Sequence, residues 1–226
     1  MIGTKKIDVR LRIEEFGIVP SIRPAVRSST PDDARFAAET LNSSGIPIAE
    51  IHMSIPGAIQ VISHLAKDFP EMIVGADLLD VEMARRCLDA GAKFLTCPGL
   101  LPDIVEFAIQ RDVVVIPAAM TPTETLQAWK AGADFVKVFP CGQVGGAGYI
   151  KALHMTFPQV PLIASGGVNQ QTAGNFILAG ATALAIGPEL IPEEALRWQK
   201  EDQICELARR FLTMVKTGRA QRMGQF

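Results

Sequence analysis

The sequence predicts a (β/α)₈ barrel, and three observations carry that reading. Eight short β-branched or apolar runs alternate with helical patterns along nearly the whole chain. Four of the helical patterns stop in glycine-bearing turns, "NSSGIP", "DAGAKF", "KAGADF" and "LAGATA", each feeding a strand. Nothing in the sequence marks a linker, so residues 1–226 read as one barrel domain. Strands alternating with helices at this spacing imply a parallel sheet, and eight units in about 200 residues imply closure. A doubly wound open sheet is the alternative, weakened by the eight strands and by no GxGxxG after the first.

The strands are expected at 17–22, 48–53, 72–77, 94–98, 113–120, 135–140, 161–168 and 183–190. Helices are expected at 31–44, 56–68, 80–90, 102–110, 123–131, 149–156 and 170–179. Pro31 behind Thr30 suits a first helical position with a hydroxyl cap before it. A short N-terminal helix at about 5–15 would cover the bottom of the barrel, and a last helix at about 193–216 would close the ring.

Composition narrows the function classes. Hydrophobic residues make up 48% of the chain, enough for a large core. A formal charge of −2 supplies no basic field for nucleic acid, and no apolar run approaches the roughly 20 residues of a membrane span. The charged and apolar alternation of the first residues is unlike a signal peptide. Cys87, Cys97, Cys141 and Cys205 form no CxxC pair, as expected of free thiols in a reducing cytoplasm.

The chemistry is expected at the C-terminal ends of the strands. There "FVKVFP" places Lys137 in an otherwise apolar strand. Alternation turns Phe135, Lys137 and Phe139 inward and the two valines toward the helices. Burying an ammonium is costly, and desolvation drives a lysine toward its neutral, nucleophilic form, the state that Schiff-base chemistry uses. In "AEIHM", Glu50, His52 and, beyond the strand, Ser54 share one face, so an inward Glu50 would meet Lys137 across the barrel. The pair reads equally as a proton-shuttling catalyst or as a structural ion pair. Glycines in "IASGGVN", "AIGPEL" and "CGQVGGAG" would let backbone amides approach an anion such as a phosphate, helped by a helix opening near Gln170.

With these motifs in order, the chain resembles the 2-keto-3-deoxy-6-phosphogluconate / 4-hydroxy-2-oxoglutarate aldolase family, from about Val19 to Pro192. "KVFPC" resembles the family segment that bears the Schiff-base lysine, and "EIHMSI" the one that bears its acid/base glutamate. "PSIRPA", "CPGL" and "ASGGV" resemble its strand-one arginine, strand-four and phosphate-loop segments. The resemblance implies a class I aldolase acting on a phosphorylated 2-oxo acid, as a homotrimer and without metal or organic cofactor. It implies Lys137 and Glu50 as the catalytic pair. Arg23 and the backbone of Ser165, Gly166, Gly167 and Gly187 would hold an anionic end, with Phe139 and Pro98 as apolar walls.

The chain departs from the family at both ends of the substrate. Ser54 stands where the family has an arginine, Leu78 where it has a threonine, Asp77 where it has a glycine and Pro188 where it has a serine. The resemblance implies that the arginine and threonine positions hold the pyruvate carboxylate and the serine position helps bind phosphate, so Ser54 is the substrate-binding residue expected at the carboxylate. Three other readings follow from the residues: a metal site from His52, Asp77, Cys97 and Cys141; another phosphate-binding barrel enzyme, such as a phosphosugar epimerase or thiamine-phosphate synthase; and a barrel that binds ligand without turnover.

Overall fold

The computed structural model describes residues 6–23 and 30–224. The expected helix start at residue 5, and the part of "PSIRPA" after Arg23, lie outside them. The strands are β1 (Ile18–Ile22), β2 (Ile48–His52), β3 (Ile73–Asp77), β4 (Phe94–Cys97), β5 (Val114–Ala119), β6 (Val136–Val138), β7 (Leu162–Ser165) and β8 (Ala183–Ile186). Each pairs in parallel with the next, and β8 pairs back with β1, closing the barrel.

Helix α1 (Lys6–Phe16) precedes β1, and α2 (Pro31–Ser43), α3 (Ala58–Asp68), α4 (Val81–Asp89), α5 (Pro102–Gln110), α6 (Pro122–Lys130), α7 (Gly146–Thr156) and α8 (Ala173–Leu178) follow successive strands. After β8 come α9 (Glu193–Arg197) and α10 (Glu201–Met223). Local chemistry explains the starts. Thr30 with Asp33, and Thr121 with Glu124, form reciprocal capping boxes, each with proline in the first turn. None of the helices is long and apolar enough to cross a membrane among the described residues.

Three expectations need correction. The last helix is two: the chain turns at Gln199, whose φ is +45°, and neither glycine nor proline in "WQK" advertises the break. Helix α8 starts at Ala173 rather than near Gln170, because the Asn169 side chain accepts from the amides of Gln171 and Thr172 and makes a polar turn first. Helix α7 starts at Gly146, three residues before the expected 149.

Two cores result from strand alternation. Outward residues such as Ile51, Ala76, Leu95, Val136 and Val138 pack against the helices. Inward residues of the lower strands, including Ile48, Ile73, Phe94, Phe135 and Ile163, fill the barrel, and Val9 and Ile13 of α1 plug its bottom. Two residues further along the same strands the inward side chains become polar: Glu50, Thr96, Lys137 and Ser165. The fold thus sets a polar layer on an apolar floor.

Gly75 fits that floor to Phe94. A Cβ at Gly75 would lie 2.3 Å from the Phe94 ring, which is fully buried and has nowhere to retreat. Gly75→Ala should destabilise the chain by about 1–3 kcal/mol, read as a lower urea midpoint at unchanged slope; an unchanged midpoint would contradict this packing.

Candidate active site

Lys137 leaves β6 and points into the barrel with only 2% of its surface exposed. Its Nζ lies 3.7 Å from Glu50 Oε2 and 4.0 Å from Asp77 Oδ1. Register sets this meeting: Glu50 pairs with Ser21 and Gly75, and His52 with Asp77. Ser21 donates to Glu50 Oε1 at 2.6 Å, and Arg23 Nε donates to Ser21 at 3.1 Å. Arg23 also reaches Asp77 Oδ2 at 3.4 Å, spanning the barrel mouth from β1 to β3 above the lysine. Lys137 Nζ, Glu50 Oε2 and Asp77 Oδ1 are all buried without a hydrogen-bond partner among the described residues. Three unpartnered polar atoms therefore converge on one point.

The two carboxylates are tuned in opposite directions. Burial pushes Glu50 up, but the Lys137 charge, the Ser21 hydrogen bond, the nearby Thr96 hydroxyl and the Arg23 charge together hold it below the ordinary carboxylate range. Burial and then the Glu50 charge push Asp77 up, and Lys137, His52 and Arg23 compensate only in part. Burial likewise pulls His52 down, against the Asp77 charge. The Ser54 backbone N–H donates to His52 Nδ1 at 3.1 Å, so the neutral ring carries its proton on Nε2. That nitrogen faces Asp77 Oδ2 at 3.7 Å.

Two cavities flank this cluster. One of about 350 Å³ is lined by Arg23, Phe139, Ser165, Gly166, Gly167 and Gly187, with Pro188 and Glu189 at its edge. Gly166 and Gly167 both have φ of +79°, a conformation that glycine adopts without strain. The other, of about 320 Å³, is lined by His52, Ser54, Leu78 and Pro98 among others. The residues singled out in the sequence thus gather around one lysine, but on two sides of it.

Some expected features move. The glycine run 141–148 lies behind the first cavity: Gly142 donates to Gly166 O at 2.8 Å, and a Cβ on Gly142 would lie 2.9 Å from the Gly167 Cα. Its glycines permit this loop packing, and Gly142 and Gly146 line, with Gly167, a further cavity of about 470 Å³. The Cys97 and Cys141 side chains belong to the outer core, with thiols that burial pushes up to about 12, so they do not join His52 and Asp77 as a donor set. Ser21, which holds Glu50, and the buried Thr96 beside it escaped the sequence reading; their signal is the same alternation, Val19–Ser21–Arg23 and Phe94–Thr96, on the inward face.

The sequence profile for KDPG and KHG aldolases, the phosphogluconate and hydroxyoxoglutarate enzymes whose motifs the chain resembles, matches residues 12–207. The chain belongs to this aldolase family. Among its relatives, the KHG/KDPG aldolase of Escherichia coli K12 is 28% identical over 76% of this chain and 81% of its own length. The 2-dehydro-3-deoxy-phosphogluconate aldolase of Treponema pallidum is 25% identical over 85% and 92%. The KDPG aldolase of Legionella pneumophila, solved with pyruvate captured as a covalent carbinolamine, superposes with a TM-score of 0.79 at 25% identity, covering 88% of this chain and 96% of that one. As a family member the chain is an aldolase, a lyase that makes or breaks a carbon–carbon bond beside a carbonyl.

The position of Asp77 in this aldolase has a consequence for stability. A carboxyl that ionises less readily in the folded than in the unfolded chain stabilises the fold at low pH, and that stability is lost as pH rises through its raised native value. Asp77→Asn cannot ionise. The variant should therefore gain stability over the wild type as pH climbs from about 4 to 8. Urea midpoints measured across that range check it, and a difference that stays flat or shrinks would contradict the assignment.

Proposed function

We propose that the chain is a class I aldolase that cleaves or forms a 4-hydroxy-2-oxo acid through an imine on Lys137. The observation that carries this is the convergence of Lys137 Nζ, Glu50 Oε2 and Asp77 Oδ1, buried and unpartnered within 4.0 Å. A structural buried ion pair is stable only with close, fully hydrogen-bonded geometry, and 3.7 Å to Glu50 is too long for that role. Groups left without partners suit a place where a reacting molecule supplies them.

In this mechanism Lys137 Nζ attacks the C2 carbonyl and forms a carbinolamine, and loss of water gives the iminium. The iminium draws electrons from the C3–C4 bond, which breaks as the C4 hydroxyl gives up its proton. An aldehyde leaves, and the enamine takes a proton at C3 before hydrolysis frees the 2-oxo acid. Glu50, held ionised by the Lys137 charge and the Ser21 hydrogen bond, relays the protons. Arg23 with the amides of Gly166, Gly167 and Gly187 receives an anionic end, and Phe139 and Pro98 shape the walls. Assembly as a homotrimer and work in the cytoplasm belong to the same proposal, as extensions of the family resemblance.

Borohydride reduction in the presence of pyruvate should attach the pyruvyl group to Lys137, located by peptide mapping, and Lys137→Ala should abolish it. Label spread over surface lysines would contradict the proposal. Glu50→Gln keeps the shape but removes the proton relay, so kcat for aldol cleavage should fall by about 10²–10⁴ with the fold intact. Turnover near that of the wild type would move the relay to another group, with Asp77 the neighbour within reach of the amine.

A further inference from the structure

Glu50 and Asp77 meet Lys137 in the same manner: each has one oxygen anchored and the other turned bare to the amine. Glu50 Oε1 accepts from Ser21 at 2.6 Å, and its Oε2 lies 3.7 Å from Lys137 Nζ. Asp77 Oδ2 accepts from Arg23 at 3.4 Å and faces His52 Nε2 at 3.7 Å, while its Oδ1 lies 4.0 Å from Lys137 Nζ. Both inward oxygens are buried and have no hydrogen-bond partner among the described residues. As a plain partner for Arg23, Asp77 would need only Oδ2. The bare Oδ1 beside the amine is what that role leaves unexplained.

We propose that Asp77 is a second catalytic acid, which takes a proton from the Lys137 ammonium and gives it to the departing hydroxyl of the carbinolamine. The proposal rests on the aldolase reading and divides its proton transfers. Glu50 serves the C4 hydroxyl and C3, and Asp77 serves the loss of water at C2. Forming an imine needs a group that is a base first and an acid a moment later. Glu50 suits the first task better than the second, since the Lys137 charge and Ser21 hold it ionised despite its burial. Burial and then the Glu50 charge push Asp77 the other way. Two carboxyls pushed apart at one reacting centre divide into base and acid. The step balances without a further reactant. The Lys137 ammonium and the Asp77 carboxylate first become a neutral amine and a carboxylic acid. The amine then adds to C2, and one of its protons passes to the carbonyl oxygen. The carbinolamine C–O bond breaks as Asp77 protonates that oxygen, so water leaves, the iminium remains and Asp77 is ionised again. Hydrolysis of the product iminium runs the same transfers backwards.

The test is the rate at which pyruvate forms a borohydride-reducible adduct on Lys137, followed by rapid quench at pH about 5 to 9, beside exchange of the pyruvate methyl hydrogens in D₂O. Borohydride reduces the iminium and not the carbinolamine, so the first rate ends at loss of water and the second reads the enamine step. The groups facing Asp77 are Arg23 from β1, Glu50 and His52 from β2, the Cys97 thiol from β4 and Lys137 from β6, with Asp80 in the adjoining cavity. Asp77→Asn should slow adduct formation by about 10²-fold. It should also remove the alkaline fall of a bell-shaped wild-type profile, because the neutral amine persists while the acid is gone. Asp77→Ala, equally without a proton to give, should show the same loss. Glu50→Gln should lose methyl exchange by a larger factor than adduct formation. Adduct formation within about twofold of the wild type in both Asp77 variants, or an alkaline fall that survives in them, overturns the proposal. A Lys137 adduct unmoved by these variants sinks the role of Asp77 and leaves the aldolase, whereas no adduct in the wild type sinks both.

Discussion

One buried lysine organises the upper half of this barrel. Removing a lysine from water costs several kcal/mol unless charge and hydrogen bonds answer it. Lys137 is answered by two carboxylates from neighbouring strands, Glu50 on β2 and Asp77 on β3. Neither is close enough for a hydrogen bond, so the cluster is neutralised but not satisfied. The closed barrel is what holds it so. Parallel register fixes the heights of Ser21, Glu50 and Asp77, and the apolar layer of Ile48, Ile73, Phe94 and Phe135 keeps water from the floor.

The two acids share a cation but not an environment. Glu50 accepts from Ser21 and lies beneath the mouth; Asp77 bears the Glu50 charge and compensates through Arg23 and His52. Environments that push two carboxyls apart separate a group that stays ionised from one that binds a proton more readily. The family resemblance puts a glycine at the position of Asp77. In this chain Asp77 meets Arg23 across the mouth at 3.4 Å, and the neighbouring Leu78 is buried.

Much of this was legible from the chain. Strand alternation in "FVKVFP" and "AEIHM" placed Lys137 and Glu50 inward before any coordinates, because a strand offers only two faces. Glycine stops located the helix ends within a few residues. What failed was local and has local causes. The break at Gln199 rests on a left-handed residue with no sequence signature, and Asn169 delays α8 through side-chain hydrogen bonds. The glycines of 141–148 fit close loop packing and anion contact alike, because both require a missing Cβ. That Asp77 would meet Arg23 depended on register across three strands, which periodicity along one strand does not encode.

The central claim is that the unpartnered point between Lys137, Glu50 and Asp77 is where a 2-oxo acid becomes covalently bound. A crystal structure after a pyruvate soak tests it most directly. The account predicts continuous density from Lys137 Nζ to C2, with Glu50 beside the new bond. Pyruvate bound elsewhere, or Lys137 still facing both carboxylates with no added density at saturating ligand, would contradict it.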